Sequence, residues 1–240
     1  MINTLKLSER LKKVSSFLPE GAYFADIGSD HAYLPCYVCL RDQKAKAVAG
    51  EVNIGPFNSA KSTVDAYQLS NRIDVRLGNG LEVLNGDTDI NQVVIAGMGG
   101  SLIRTILEEG KSKLSNVERI IAQPNVDERN VRRWLLREGF TVTDETILEE
   151  NGHRYEIIVA DHEGNQELIN PYTESQLEKQ LLFGPILLRN KTDIFYEKWR
   201  SEYKKLARIV GQMKEASNVD HEKIERFERE LLWIKEEITG

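Results

Sequence analysis

The feature that most limits the fold of this 240-residue chain is an alternation of two periodicities. From about residue 20 to about 160, short β-rich runs end in small or acidic residues, and a stretch with helical spacing follows each one. The runs are residues 22–27, 45–52, 73–77, 92–96 and 119–122; the helical stretches are 34–40, 55–69, 101–107 and 128–138. Near-continuous apolar content marks the runs as strands covered on both faces. The repetition predicts a doubly wound α/β fold with a mostly parallel sheet. The series ends differently. Residues 140–148 and 154–160 are β-rich, only EENGH separates them, and Asn151-Gly152 favours a tight turn. So short a link predicts an antiparallel hairpin closing the sheet.

After a polar stretch over residues 161–170 that contains Gly164, the chain turns helical. We place the boundary there: an α/β domain over residues 1–165 and a small helical domain over 166–240. Phe195, Trp199, Leu206, Ile209 and Met213 follow a 4/3 spacing, and Ile224, Phe227, Leu231, Ile234 and Ile238 follow a 3/4 spacing. The polar segment ASNVD lies between them, with Asp220 as a candidate N-cap. This pattern predicts an antiparallel, coiled-coil-like helical hairpin. Residues 189–214 carry eight basic and three acidic side chains, a surplus of five positive charges; residues 215–237 carry four and eight, a surplus of four negative charges. Two compatible accounts follow. Opposite charges pair along the seam, or the first helix offers a basic face to RNA.

The rest of the sequence excludes several classes. No apolar run reaches the roughly 18 residues of a membrane span. The opening MINTLKLSERLKKV is amphipathic and reads as no signal peptide. Two cysteines make no disulfide framework, which fits a cytoplasmic location. Cys36 and Cys39, with no second pair, read as packed thiols; His31, His153, His162 and His221 lack ligand spacing, so no metal is expected. The net charge of −6 argues at first against a nucleic-acid partner.

The chemistry lies where strands end. ADIGSDHAYLP, residues 25–35, puts Asp26 and Gly28 at the end of the first strand. A nicotinamide cofactor would ask for G-x-G-x-x-G, but Gly28 is followed at those positions by Asp30 and Tyr33. Asp26 and Asp30 would repel a pyrophosphate and suit a cationic ligand; the ammonium and sulfonium of S-adenosylmethionine qualify. Glu51 ends the second strand, where a carboxylate accepts hydrogen bonds from a ribose diol, with Val52 and Asn53 beside it. Gly78-Asn79-Gly80 ends the third strand, Gly97-Met98-Gly99-Gly100 the fourth, and Gln123-Pro124-Asn125 the fifth. Strand ends of a parallel sheet line one edge, so these segments converge on one ligand.

ADIGSDHAYLP, GEVN with Gly55 and Pro56, GNGLE, IAGMGG, QPN and a helical tail with FGP together resemble the bacterial tRNA (adenine-22 N1)-methyltransferases of the TrmK type. The resemblance runs from LSERL at residues 7–11 to the final hairpin. It implies a class I, Rossmann-like methyltransferase domain, S-adenosyl-L-methionine as methyl donor, and methylation of N1 of adenine 22 in tRNA. Asp26, Gly28, His31, Glu51, Val52, Asn53, Gly78, Asn79, Gly80, Gly97, Met98 and Gly99 are then the expected cofactor contacts. Asp30 and Asn125 are the expected catalytic pair, Asp30 stabilising positive charge on the methylated ring and Asn125 bonding the base. Tyr33, Arg129, Arg133, Lys198, Lys204 and Arg208 are the expected tRNA contacts, with Arg129, Arg132, Arg133 and Arg137 read as one basic helix face. The competing reading is a methyltransferase of a small molecule or protein that uses the hairpin to dimerise. A non-catalytic module with a degenerate site fits less well with Glu51, GNG and GMGG present. No membrane partner is expected. The oligomeric state stays open, with a monomer as the default.

Overall fold

The structure, a computed structural model, describes residues 5–86, 89–162, 168–216 and 220–239. Seven strands form one sheet: β1 (Tyr23–Ile27), β2 (Lys46–Glu51), β3 (Ile73–Leu77), β4 (Gln92–Met98), β5 (Arg119–Pro124), β6 (Phe140–Glu150) and β7 (His153–His162). Their order is β3-β2-β1-β4-β5-β7-β6. The first five pair in parallel, and β7 runs antiparallel to both β5 and β6. Strand order reverses between β1 and β4, which is where a ligand crevice opens in such sheets.

Helices α1 (Glu9–Ser15), α2 (Tyr33–Arg41) and α3 (Ile54–Ala66) cover one face; α4 (Gly100–Glu109) and α5 (Glu128–Arg137) cover the other. Phe24, Val94 and Ile121 point into the first layer, and Ala25, Val93 and Ile120 into the second. Two-sided burial is why these strands lack the alternation of a half-exposed sheet. The β6–β7 hairpin pairs further than the sequence suggests, down to Glu150 opposite His153. Asn151 and Gly152 both take positive φ, 52° and 75°. That conformation gives the tight turn whose twist matches its strands.

The tail contains α6 (Leu177–Phe183), α7 (Asp193–Lys214) and α8 (His221–Thr239). The domain boundary at 165/166, Gly164 and most of the ASNVD turn lie outside the described residues. Asp220 caps α8 as expected, its carboxylate accepting the Lys223 N–H at 3.0 Å. Phe195 and Trp199 near the start of α7 share a cluster with Ile234 near the end of α8, so the hairpin is antiparallel. Phe183 and Trp199, with ring centroids 4.3 Å apart, bind α6 to α7, and Ile147 of β6 joins the same cluster. Tyr172 and Leu181 pack into the core under α5.

Two expectations for the hairpin need correction. Val210, four residues after Leu206, takes the buried position, and Ile209 is turned outward. The charges do not lace the seam: among the described residues Lys214–Glu228 is the one ion pair joining α7 to α8. The seam is apolar, so the carboxylates of α8 reach other elements instead. Glu230 pairs with Arg129, and Glu237 pairs with Lys179 and Lys191.

Candidate active site

The crevice begins at the end of β1. Gly28 has φ +69°, and a Cβ there would collide with the Met98 side chain across the gap. After it, Asp30, His31 and Ala32 all adopt left-handed conformations, with φ of 42°, 68° and 56°. Three such residues in a row are costly for side chains with a Cβ. The coil they make brings the backbone N–H of Asp30 onto the Glu51 carboxylate. Glu51 is 5% exposed, and its Oε1 is buried with no hydrogen-bond partner. A buried, unsatisfied carboxylate oxygen is expensive unless a donor completes it. A ribose diol supplies such donors.

Asp26 lies behind this point, 4% exposed, and accepts the Ser29 hydroxyl at 2.6 Å. Burial pushes its pKa up to about 7; the Ser29 bond opposes this, and the charges of Glu51 and Asp30 add to it. Burial also raises the pKa of Glu51, against the Asp30 N–H. Three mutually repelling carboxylates in one crevice favour a cationic ligand. The Asp30 side chain itself is 84% exposed, so its backbone serves Glu51 while its carboxylate faces solvent, 3.4 Å from His31 Nε2. His31 lies against Asp30 and stacks on Tyr33, with ring centroids 5.4 Å apart. Asn79 forms a reciprocal capping box with Glu82, whose carboxylate accepts the Asn79 N–H at 2.9 Å. That bond pins the Gly78–Gly80 turn at the crevice wall.

The other wall comes from β4 and β5. Gly97, with φ +79°, sits at an irregularity in the β4–β5 pairing. Gln123 is fully buried; its Oε1 accepts the Gly97 N–H at 3.0 Å, and its Nε2 donates to the Pro124 carbonyl at 2.9 Å. Asn125 completes the clamp. Its Nδ2 donates to the Gly97 carbonyl at 2.7 Å, its backbone N–H donates to the Met98 carbonyl at 2.7 Å, and its Oδ1 accepts from Gln123 at 3.3 Å. One N–H and one lone pair of the exposed Asn125 amide remain available.

Tyr33, Val52, Ile54, Leu77, Leu102 and Val126 are exposed at this same edge. Such a grouping is the mark of a binding surface. Of these, only Tyr33 and Val52 stand out in the sequence.

Beside Asn125 a cleft of about 990 Å³ runs between α5, the β6–β7 turn, α7 and α8. Burial of Lys198 and Arg132 corrects part of the expected RNA surface. Lys198 is 12% exposed and sits 2.6 Å from both Glu128 and Glu156. Arg132 is no part of a basic face: it is fully buried, 2.6 Å from Glu145 and 2.6 Å from Glu156. Burial opposes the charge of Arg132, but the two carboxylates outweigh it and hold its pKa above the ordinary value. Arg129 pairs with Glu230, Arg133 with Glu178, and Arg137 with Glu108 and Glu138. Of these cations Arg132 and Lys198 are the most deeply buried, and both are neutralised, as burial requires. Lys204 and Arg208 are exposed, on the α7 face opposite its buried side, and neither has an ion pair among the described residues. Arg200 extends that stripe at the same i, i+4 spacing. Cys36 and Cys39 are buried thiols, their pKa values raised by burial. Among the described residues no cluster of His, Cys, Asp and Glu could hold a metal ion, and no helix is long and apolar enough to cross a membrane.

Comparisons with known proteins point to one family. A family model described as tRNA (adenine(22)-N(1))-methyltransferase matches residues 24–236. The tRNA (adenine(22)-N(1))-methyltransferase of Bacillus subtilis is 44% identical over 223 residues, 92% of each chain. The crystal structure of the B. subtilis m1A22 tRNA methyltransferase TrmK superposes with a TM-score of 0.89 at 41% identity, covering 98% of this chain and 99% of that one. A Streptococcus pneumoniae structure, described as a putative tRNA (m1A22) methyltransferase in complex with S-adenosyl-L-methionine, gives 0.82 at 40% identity, covering 97% and 100%.

Proposed function

Because this chain belongs to the tRNA (adenine(22)-N(1))-methyltransferase family, we propose a residue-level account of how it works. The enzyme transfers a methyl group from S-adenosyl-L-methionine to N1 of adenine 22 in tRNA, giving 1-methyladenosine. The orphaned Glu51 oxygen carries the assignment of the cofactor site. Glu51 holds the ribose diol; Asp26 and Asp30 offset the positive charges of the cofactor. Gly78, Asn79 and Gly80, with Val52 and Asn53, wall in its adenine, and His31 flanks it. Gly97, Met98 and Gly99 border the methyl end. The cofactor supplies an electrophilic methyl on a sulfonium.

Adenine N1 has a free lone pair at neutral pH, so the enzyme needs no base to create a nucleophile. Its task is to place the base, and orientation alone can supply roughly 7–11 kcal/mol of the barrier. The remaining N–H and lone pair of Asn125 match N7 and the N6 amino group of adenine, which would leave N1 facing the methyl. Positive charge develops on the ring as the methyl arrives, and the exposed Asp30 carboxylate offsets it. The base must leave its stack to reach this point; Tyr33 and Val126 offer exposed surface for it. We assign phosphate contact to the stripe of Arg200, Lys204 and Arg208, with residues 1–165 as the methyltransferase part and 166–240 as the docking part. The cytoplasm is where such a substrate is met.

The test is direct. Incubating the protein with labelled S-adenosylmethionine and bulk tRNA, then digesting to nucleosides, should yield labelled 1-methyladenosine. Label in another nucleoside, or none, would overturn the reading.

A further inference from the structure

Among the described residues, one cation at the strand-end edge, Arg10, has no counter-charge. Helix α1 is fixed by the Ser8 cap and by burial of Leu7 and Val14, and its Glu9 N–H donates to the Glu150 carboxylate at 2.6 Å. This seats Arg10 over the end of β4. Its Nη1 donates to Gln123 Oε1, and its Cζ lies 5.3 Å from the centre of the Tyr155 ring. A Cβ on Gly97 would stand 3.6 Å from Nη1 and 3.9 Å from Nη2. Among the described residues no carboxylate pairs with Arg10, and Gln123 uses one of its five N–H donors. By contrast Arg129, Arg132, Arg154 and Lys198 nearby all have carboxylate partners.

A bare guanidinium here has the wrong sign for the reaction. Methyl transfer builds positive charge on the base, and a neighbouring cation in a half-buried site opposes that. The site therefore requires an anion beside Arg10, and RNA carries one at every nucleotide. The acidic residues of the crevice gather at β1 and β2, whereas Arg10 lies against Gln123 and Tyr155, and Tyr155 lines the cleft. We propose that Arg10, held by Gln123 and Tyr155, grips a phosphodiester flanking the target adenosine. This makes Arg10 a substrate-positioning residue that acts only once the RNA has neutralised it. The inference rests on tRNA being the substrate.

The test pairs Arg10→Gln with tRNA carrying a neutral methylphosphonate at each linkage flanking adenine 22. Arg10→Gln should lower kcat/KM roughly tenfold to a hundredfold, the range of a charge-assisted bond. It should reduce the salt slope of tRNA binding by about one, and leave cofactor affinity and melting temperature near those of the wild type. Arg10→Lys should recover part of the loss, since it restores charge without the fork. One methylphosphonate should impair the wild type to the same extent and add nothing in Arg10→Gln. Additive losses, an unchanged salt slope, or a fall in cofactor affinity would each overturn the proposal; the last would assign Arg10 to the cofactor carboxylate. Wild-type protein that makes no 1-methyladenosine on unmodified tRNA would instead refute the function itself, and this inference with it.

Discussion

Replacing Asp26 with Asn should make the cofactor-free protein more stable while depriving it of its ligand. The two side chains have nearly the same shape, and an amide oxygen still accepts the Ser29 hydroxyl. What changes is the buried charge. The Asp26 pKa is raised from 3.8 to about 7, chiefly by burial. Below about pH 3 the group is protonated whether the chain is folded or not, and it costs nothing. As pH rises toward 7 the unfolded chain ionises first, so the wild type loses stability; above about 7 the loss is complete. At 1.36 kcal/mol per pKa unit, the gap from 3.8 to about 7 amounts to about 4 kcal/mol. The Asn variant escapes that loss. Its advantage should be near zero at about pH 3, about 2 kcal/mol at pH 5.5 and about 4 kcal/mol at pH 8. For a chain of this size the last figure corresponds to a rise in Tm of roughly 8–16 °C. Thermal melts of the cofactor-free protein at the two higher pH values measure this, and calorimetry should show cofactor affinity largely lost. Wild-type affinity should fall as pH drops below about 7, because protonated Asp26 offers no counter-charge. An Asn variant that melts no higher than the wild type at pH 8, or gains equally at both pH values, would refute the claim that the crevice stores uncompensated charge.

Other perturbations separate roles that the sequence leaves merged. Lys198→Met strips a buried partner from Glu128 and Glu156, so it should destabilise by roughly 3–5 kcal/mol; a variant of normal stability but weaker tRNA binding would return Lys198 to the RNA surface. Replacing Arg200, Lys204 and Arg208 together with Gln should leave the melting temperature within a few degrees and lower the salt slope of tRNA binding by roughly two to three, with an unchanged slope removing the stripe from the interface. Asp30→Asn tolerates the left-handed backbone and should keep cofactor affinity within a few-fold while kcat falls at least tenfold; lost affinity with intact turnover at saturation would make Asp30 a cofactor ligand alone.

The negative total charge shows how sequence and structure divide the work. Residues 1–165 hold 19 basic and 24 acidic side chains, and residues 166–240 hold 13 and 14. Read as a sum, −6 argues against RNA. Read by place, three of the carboxylates, Asp26, Asp30 and Glu51, gather in the crevice proposed for a cationic cofactor, and Glu128, Glu145 and Glu156 hold Arg132 and Lys198 inside the fold.

The amino-acid order alone determined the βαβ series, the closing hairpin at Asn151-Gly152 and the convergence of Asp26, Glu51, Gly78–Gly80 and Gly97–Gly99. Those features are written in local spacing: strand and helix periodicities act within a few residues, and parallel strands bring their loops to one edge whatever the packing. The tertiary structure decided which charges are spent and which remain. Arg132 looks like a neighbour of Arg129 and Arg133 on a polar helix, yet it is fully buried because Glu145 and Glu156, 13 and 24 residues away, meet it there. Arg10 looks like any charge on an amphipathic helix, yet it stands at the strand-end edge beside Gln123, 113 residues along the chain. Ion pairing and desolvation depend on distance in space, and a linear pattern has no term for contacts between residues so far apart.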